Sequence, residues 1–288
     1  MKPRADQVKQ LEDQARQVRA DILKMTHDVG AAHKGHPGGA LSAADIVTAL
    51  YFEVMNVDPT NPKDPDRDRF ILSKGHTCPV LYAALALRGF FDRSHYQTFR
   101  TVGGMLQGHP DMKNTPGVDM TAGSLGHGLA AGLGMALAGR IDGRSYRTYV
   151  MLGDGECQEG LVWEAVLAAG HYGLSTLTAI VDVNGLQSCF PVVETMQMEP
   201  FAAKWAAFRW NVLEIDGHDM GQILDALAKA ASVTDKPTVI LAKTVKGKGV
   251  SFMENDNSWH QKAPNDEEYA AALAELGVEA DGGVGAGR

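Results

Sequence analysis

The sequence has 288 residues, of which 44% are hydrophobic and 22% are charged, and these proportions indicate a globular fold and exclude disordered, collagen-like and coiled-coil classes. The net charge of −8 and the isoelectric point near 5.7 argue against nucleic acid as a partner. No apolar run reaches the ~20 residues of a membrane helix and the N-terminus has no signal-peptide core, so we expect a cytoplasmic protein without a membrane partner.

The cysteine and glycine content indicates which kinds of site to expect. Cys78, Cys157 and Cys189 are odd in number and far apart, which favours reduced thiols over a disulfide framework or a zinc site. The 32 glycines indicate places where the backbone closely approaches another backbone or a ligand.

The first half of the sequence predicts helices joined by glycine-containing loops. Apolar residues from Val8 to Met25 recur every three or four positions, which predicts an amphipathic N-terminal helix of about seven turns. Ser42, followed three residues later by Asp45, predicts a capping box that opens a helix ending near Met55. Further elements are expected in chain order: a strand at 70–72, a helix at 79–87, a long loop at 101–124 and a helix of small residues at 125–138.

The second half alternates strands with helices, which is typical of βαβ crossovers and a parallel sheet. The strands are expected at 147–152, 176–181, 212–215 and 238–242, and the helices at 161–172, 201–208 and 220–231. The first two of these strands are almost entirely apolar, as expected for strands buried on both faces. We therefore predict an α/β fold with helices on both faces of a parallel sheet, one domain over residues 1–276, and a disordered glycine-rich tail over 277–288.

The strongest functional signal lies where two predicted strands end. Gly153-Asp154-Gly155 follows the first buried strand, and Asn184 follows the next, so the two polar side chains converge if the strands are neighbours. One carboxylate and one amide oxygen form a hard ligand set that suits Mg²⁺ bound together with phosphate. A dinucleotide site would need a third glycine where Gln158 stands, and the glycine triplet alone could be an ordinary tight turn.

Together with other motifs, this pattern resembles the thiamine-diphosphate-dependent transketolases, over residues from about Asp21 to Pro264. Gly153-Asp154-Gly155 is followed by 28 residues and then Asn184, as in the thiamine-diphosphate-binding motif. The other matching segments are Gly35-His36-Pro37-Gly38, Leu72-Ser73-Lys74-Gly75-His76, Gly108-His109-Pro110, Gly123-Ser124-Leu125-Gly126-His127-Gly128, Gln158-Glu159-Gly160, and Lys243-Thr244-Val245-Lys246-Gly247-Lys248-Gly249 leading to His260. The resemblance implies the diphosphate-binding domain of that family.

The resemblance also implies roles for individual residues. The implied metal ligands, for Mg²⁺ or for Ca²⁺ or Mn²⁺ in its place, are Asp154, Asn184 and the carbonyl of Leu186. The implied thiamine-diphosphate contacts are His76, Gly123, Ser124, Leu125, Gly153, Asp154, Gly155, Glu156, Asn184 and His260, with Leu125 packed on the cofactor ring. The implied catalytic residues are His36, His76, His109, His260 and Glu159, and Glu159 and Glu164 match glutamates at a subunit interface.

The histidines support this interpretation independently. Six of the ten lie in loops that contain glycine or proline: His33, His36, His76, His109, His127 and His260. A lone loop histidine is more often merely exposed, but a set of imidazoles suits proton transfer on a polyol near pH 7. A histidine–zinc site is the rival, and no matching spacing supports it.

Several other positions carry weaker expectations. His27, His95, His171 and His218 lie on predicted helices or their edges and are expected to be structural. The lysines at 243, 246 and 248 form a small basic cluster, for which a solvated loop is favoured over a contact to an anion. Many full-length transketolases have glutamine where this sequence has His127, which leaves the contacts there open.

The resemblance covers only the diphosphate-binding half of a transketolase, and so implies the N-terminal subunit of a split enzyme. Its expected partner is a C-terminal subunit with the pyrimidine-binding domain, in an α2β2 assembly that self-associates through the present domain. The implied reaction moves a two-carbon ketol unit from a ketose to an aldose, as free sugars or sugar phosphates. The alternatives are a deoxyxylulose-phosphate-synthase-like enzyme, a 2-oxo acid dehydrogenase subunit, or a non-catalytic cofactor-binding relative.

Overall fold

The computed structural model describes residues 4–188 and 190–279 and contains one five-stranded sheet in that part of the chain. The strands are β1 (Arg69–Leu72), β2 (Thr148–Gly153), β3 (Leu177–Val183), β4 (Asn211–Asp216) and β5 (Thr238–Lys243). All neighbours pair in parallel, in the order β1-β2-β3-β5-β4. The predicted parallel sheet is confirmed, with strand ends shifted by one or two residues.

Helices cover both faces of the sheet. They are α1 (Arg4–Asp28), α2 (Pro37–Ser42), α3 (Ala44–Ala49), α4 (Pro79–Arg88), α5 (His127–Ile141), α6 (Gly160–Tyr172), α7 (Phe201–Ala207), α8 (Met220–Ser232) and α9 (Asp266–Leu276). One-turn helices lie at Gly30–His33 and Val192–Thr195, and a π-helical turn at Leu50–Val54 extends α3. None of the described helices combines the length and apolar content needed to cross a bilayer.

Alternate residues along each strand enter two separate hydrophobic cores. On β2, Tyr149 and Met151 belong to the core under α1, α3, α4 and α8, whereas Val150 and Leu152 belong to the core under α5, α6 and α7. Side chains on a strand alternate between the faces of a sheet, so continuous apolar strands require cover on both sides. The β3 strand follows the same rule, with Ile180 in the first core and Val181 in the second.

The predicted capping box at Ser42 is wrong. The helix begins five residues earlier, with Pro37 in its first turn, where a proline ring is well tolerated. Ser42 instead donates a hydrogen bond of 2.6 Å from its hydroxyl to Oδ2 of Asp182, and Asp45 pairs with Arg19. Both polar side chains are therefore used in tertiary contacts.

The start of the predicted tail belongs to the folded domain. Gly277 caps α9 in the left-handed conformation, with φ of 63°, and Val278 is only 5% exposed. Gly277 and Val278, which the prediction assigned to the tail, therefore pack with the domain. Residues 280–288, for which disorder was predicted, lie outside the described residues, as does Cys189.

Gly170 lets α6 pack closely against the backbone of Phe208, and a substitution at this position tests that packing. A β-carbon added there would collide with the backbone oxygen of Phe208, which cannot move as a flexible side chain could. We expect Gly170→Ala to lower the free energy of unfolding by about 1–3 kcal/mol, measured by urea denaturation. Gly160→Ala on the same helix meets no atom within 4 Å and should change it by less than about 0.5 kcal/mol. Equal effects at both positions would contradict the packing described here.

Candidate active site

Asp154 and Asn184 lie at the tips of adjacent strands, as the sequence predicted for converging ligands. The register places Gly153 of β2 beside Asp182 of β3. Oδ1 of Asp154 accepts from the Gly155 amide at 2.8 Å, and Oδ2 accepts from the Gly185 amide at 2.6 Å. The carboxylate is therefore hydrogen-bonded to the residue that directly follows Asn184. A cavity of about 1030 Å³ opens beside Asn184 at the ends of β3, β4 and β5.

The donor atoms at this edge fit a hard divalent cation. Oδ1 of Asn184 accepts from the Leu186 amide at 3.1 Å, while in the described part of the chain nothing donates to the Leu186 carbonyl. Burial, and then the charge of Asp182, raise the pKa of Asp154 to about 6, and a bound cation would favour its ionised form. Within residues 4–188 and 190–279, no group of three His, Cys, Asp or Glu side chains is placed to hold a metal ion. The candidate ligands at this edge are one carboxylate, one amide and one carbonyl oxygen, which suit a hard cation.

Asp182 and Lys74 form a buried ion pair behind this edge that sequence reasoning missed. Asp182 is 0% exposed and also accepts from the hydroxyls of Ser42 and Thr244. Burial alone would raise the pKa of Asp182, but the Lys74 ammonium and these hydrogen bonds lower it. Lys74 donates a second bond of 2.9 Å to the Gly39 carbonyl. The pair therefore connects β3 to helix α2 and to the segments that follow β1 and β5.

Three of the four predicted catalytic histidines meet in one cluster. His36 precedes α2, His76 lies in a one-turn helix after β1, and His260 ends another at Asn257–His260. Their ring centroids are 5.1 Å (His36–His76), 5.3 Å (His36–His260) and 5.4 Å (His76–His260) apart. His109 lies against Gly123, with its ring 3.8 Å from the position of an added β-carbon.

The clustered histidines are neutral near pH 7. Burial, and then the charges of neighbouring groups, lower the pKa of His36 to about 3, of His76 to about 2 and of His260 to about 4. Burial, and then Arg100, also lower the pKa of His109. Nδ1 of His36 is buried and has no hydrogen-bond partner among the described residues. A buried polar atom without a partner calls for an explanation, and a group bound beside the histidine cluster would supply one.

These pKa values predict that the protein without ligand loses stability in acid. In the unfolded chain the same imidazoles titrate near the reference value of 6.5, so the unfolded state takes up protons first as the pH falls. The stability that these neutral rings contribute to the folded state is fully present above about pH 6.5. It is lost as the pH falls through the pKa values of the folded state, from about 4 to about 2. Urea midpoints measured from pH 7 to pH 4.5 should fall, and less steeply for His76→Asn. An equally steep fall in that variant would contradict the assignment.

The end of the predicted loop 101–124 packs against the one-turn helix that carries His76. A β-carbon on Gly75, the residue before His76, would lie 3.0 Å from the side chain of Ala122 and 3.2 Å from the Gly123 amide nitrogen. Ser124 is exposed, and Leu125 is a large apolar side chain that is 36% exposed. An exposed leucine beside polar loops is suited to pack against a planar apolar ring.

Glu156, predicted to contact the cofactor, points into the protein. Its carboxylate is buried and accepts from the Ser73 hydroxyl, from the Gly126 amide at 2.8 Å and from the Gly153 amide at 3.0 Å. This carboxylate therefore holds the segments of Ser73, Gly126 and Gly153 together, and a contact between Glu156 and the cofactor stays a prediction. The spacing of the motif could not distinguish these roles, because two partners come from remote segments.

Glu159 and Glu164 lie outside the histidine cluster. Glu159 occupies the N-cap position of α6 without a capping hydrogen bond from its side chain, and Glu164 lies further along the same helix. Both side chains are exposed. The structure thus places both glutamates on the surface. Glu159 also lies next to Gly126, because a β-carbon added to Gly126 would be 2.9 Å from Cβ of Glu159.

The solvated loop predicted for the lysine cluster is wrong for Lys246, which is 1% exposed. Its ammonium donates to the Gln187 carbonyl at 3.2 Å and to Oδ1 of Asn257 at 2.8 Å. Its charge lowers the pKa of His260 after the larger effect of burial. The amide of the following Gly247 donates to the Gly38 carbonyl at 2.9 Å, so this loop packs against the first turn of α2.

Comparison with known proteins agrees with this geometry. Residues 13–283 match the family model described as the thiamine diphosphate binding domain of transketolase. The chain belongs to the transketolase family. The match includes Asp154, Asn184 and every clustered histidine described above, so the family assignment and the site geometry concern the same residues.

Two transketolase subunits are similar to almost the whole chain. A 6-deoxy-6-sulfo-D-fructose transketolase subunit of Clostridium sp. is 45% identical over 259 residues, which is 90% of this chain and 94% of that protein. An apulose-4-phosphate transketolase subunit of Phocaeicola vulgatus is 41% identical over 270 residues, or 94% of this chain and 95% of that protein. These relatives do not favour the alternative of another kind of thiamine-diphosphate enzyme.

Solved transketolase structures show the same fold. Transketolase from Leishmania mexicana superposes with a TM-score of 0.87 at 31% identity, covering 94% of this chain and 42% of that one. A Pichia stipitis transketolase complex with sedoheptulose 7-phosphate gives a TM-score of 0.87 at 30% identity, covering 94% and 41%. The chain therefore spans about two fifths of these transketolases.

Proposed function

We propose that this chain is the thiamine-diphosphate-binding subunit of a cytoplasmic two-subunit transketolase, which moves a two-carbon ketol unit from a ketose to an aldose. The observation that carries the proposal is the placement of Asp154 and Asn184 at one sheet edge that also holds a cluster of neutral histidines. The similar proteins named as transketolase subunits support the division into two chains.

The residues of this chain would hold the cofactor at its diphosphate end. Asp154, Asn184 and the Leu186 carbonyl would bind Mg²⁺, with Ca²⁺ or Mn²⁺ as substitutes, while the buried Lys246 supplies positive charge for the diphosphate. Leu125 would pack on the ring. When bound, thiamine diphosphate supplies the carbon nucleophile and electron sink that breaking a ketose C–C bond requires.

The histidines would handle the protons of the reaction. A neutral imidazole donates from one ring nitrogen and accepts at the other, so His36, His76, His109 and His260 can exchange protons with substrate hydroxyl and carbonyl oxygens. Nδ1 of His36 is buried and has no hydrogen-bond partner among the described residues, so its hydrogen-bonding capacity is not used within the chain. All three clustered rings are neutral at pH 7, so none of them carries a positive charge that would compete with the metal ion for the diphosphate.

The substrates we propose are sugars or sugar phosphates. One similar subunit is named for a sulfonated fructose and the other for apulose 4-phosphate, so related chains serve sugars that carry acidic groups. The pyrimidine-binding subunit would supply the remaining contacts to substrate and cofactor.

Reconstitution tests this function. The purified chain is mixed with a C-terminal transketolase subunit, Mg²⁺ and thiamine diphosphate, and ketose phosphate consumption is followed with an aldose acceptor. We expect activity only when both subunits are present, and none with Asp154→Ala. Full activity of the chain alone would contradict the split enzyme, while unchanged function in Asp154→Ala would favour a non-catalytic relative. Turnover of pyruvate in place of the ketose would favour the decarboxylating alternatives.

We also propose that two copies of the chain associate through α5 and α6. Three large apolar side chains on these helices are exposed, Ile141 (81%), Leu167 (57%) and Tyr172 (51%), and Leu167 lies one turn from Glu164 on α6. We expect Leu167→Asp to shift the chain from dimer to monomer in light scattering at micromolar concentration. Val102→Asp, at an exposed apolar position in a loop, is the control and should leave the dimer intact. A dimer that survives Leu167→Asp would place the contact elsewhere.

A further inference from the structure

His218 lies outside the histidine cluster, in the turn between β4 and α8, and both of its ring nitrogens are engaged. Nδ1 lies 2.7 Å from Oδ2 of Asp45, and Nε2 accepts the amide hydrogen of Val245 at 2.9 Å. An amide can donate only to an unprotonated nitrogen, so the ring is neutral, with its proton on Nδ1 facing the carboxylate. The two partners therefore fix the tautomer and the plane of this ring.

Asp45, which contacts His218, also forms a buried ion pair with Arg19. Both carboxylate oxygens of Asp45 accept from the guanidinium of Arg19, at 2.9 and 2.5 Å, and the two side chains are 9% and 7% exposed. Burial alone would raise the pKa of Asp45, but Arg19 and the hydrogen bond from His218 lower it to about 2. Arg19 also donates to the carbonyl of Lys248 at 3.1 Å. The segment 244–248 is thus held at two points, Val245 and Lys248.

That segment carries Lys246 into the active site. Its Nζ reaches Oδ1 of Asn257, in the turn that ends at His260, and the Gly247 amide donates to Gly38, in the first turn of the helix that follows His36. A β-carbon on Gly38 would lie 3.3 Å from Cγ of Lys246. A shift of the segment would therefore move the buried ammonium and disturb both histidine loops.

We propose that His218 is a positioning residue, which acts through the Val245 amide to hold the Lys246 ammonium where the diphosphate of the cofactor binds. The inference rests on the proposed function for the identity of that ligand. It does not make His218 a catalytic residue, because the ring contacts Asp45 and the backbone of Val245.

The first test compares variants of the whole chain for binding of thiamine diphosphate with Mg²⁺, measured by calorimetry. His218→Phe keeps an aromatic ring and removes both hydrogen bonds. We expect this variant to bind thiamine diphosphate about 10-fold more weakly than the wild type does. Thiamine, which lacks the diphosphate, should bind equally well to both proteins. His218→Gln keeps a donor and an acceptor and should recover most of the affinity. Arg67→Met, which breaks the Arg67–Asp119 pair at the opposite end of the sheet, is the control for general loss of stability. Wild-type affinity in His218→Phe, or an equal loss in Arg67→Met, would overturn the proposal.

The second test needs no variant and no cofactor. Nitrogen NMR of the wild-type chain should show Nε2 of His218 unprotonated and Nδ1 protonated, and hydrogen exchange should show the Val245 amide protected. A protonated Nε2 or an unprotected Val245 amide would overturn the inference even if the cofactor binds. If instead the wild type, mixed with a C-terminal transketolase subunit and Mg²⁺, fails to bind thiamine diphosphate while these signals are as expected, the proposed function fails and the structural link stands.

Discussion

Replacing Asp154 with alanine should abolish retention of thiamine diphosphate. The variant removes the carboxylate of the proposed metal set and the acceptor of the Gly155 and Gly185 amides. Changes in groups that merely support a metal ligand cost about 10–100-fold in affinity, so we expect the loss of a direct ligand to cost roughly 100-fold or more. Calorimetric titration with thiamine diphosphate and Mg²⁺ measures this loss.

Asp66→Ala is the matched control for that experiment. It removes an equal charge from an exposed carboxylate that pairs with Arg144 on the surface, and it should leave the affinity unchanged. Thermal unfolding of both variants without cofactor checks that each is folded. Retention of the cofactor by a folded Asp154→Ala protein would show that this carboxylate is not a ligand.

Replacing Lys74 with methionine should cause the largest loss of stability. The variant leaves the fully buried carboxylate of Asp182 without its cation, and breaking a buried pair from one side costs about 3–5 kcal/mol. Urea denaturation at pH 7 measures the free energy of unfolding. The double variant Lys74→Met with Asp182→Asn should regain much of the loss, because no uncompensated charge remains.

A surface pair provides the comparison for Lys74. Arg4 pairs with Asp225, where the two side chains are 57% and 63% exposed, and Arg4→Met should cost less than about 1 kcal/mol. If Lys74→Met costs no more than Arg4→Met, the buried pair does not organise the site loops as described.

Strands β2 and β3 could be predicted from the sequence because they are almost continuous apolar runs, as expected for strands buried on both faces of a sheet. The two cores confirm this for β2 and β3. The start of α2 could not be predicted in the same way. Ser42 has the local chemistry of a helix cap, but the buried Asp182 recruits its hydroxyl from 140 residues away.

The sequence could predict the position of a site residue only where the residue directly follows a strand of the parallel sheet. Asp154 and Asn184 follow consecutive buried strands, so their placement at one edge followed from strand adjacency. Lys74 and Asp182 are 108 residues apart, and nothing local to either residue indicates the other. Lys246 was misjudged because its burial depends on how its loop packs against Gly38 and Asn257.

A crystal structure of the chain with thiamine diphosphate and Mn²⁺ tests the central claim most directly. Anomalous scattering locates the ion without reference to the protein atoms. We expect one peak within about 2.5 Å of an Asp154 carboxylate oxygen, the Asn184 amide oxygen and the Leu186 carbonyl, in contact with the diphosphate. An ion bound away from these three oxygens, or a diphosphate bound with no ion between it and Asp154, would contradict the account.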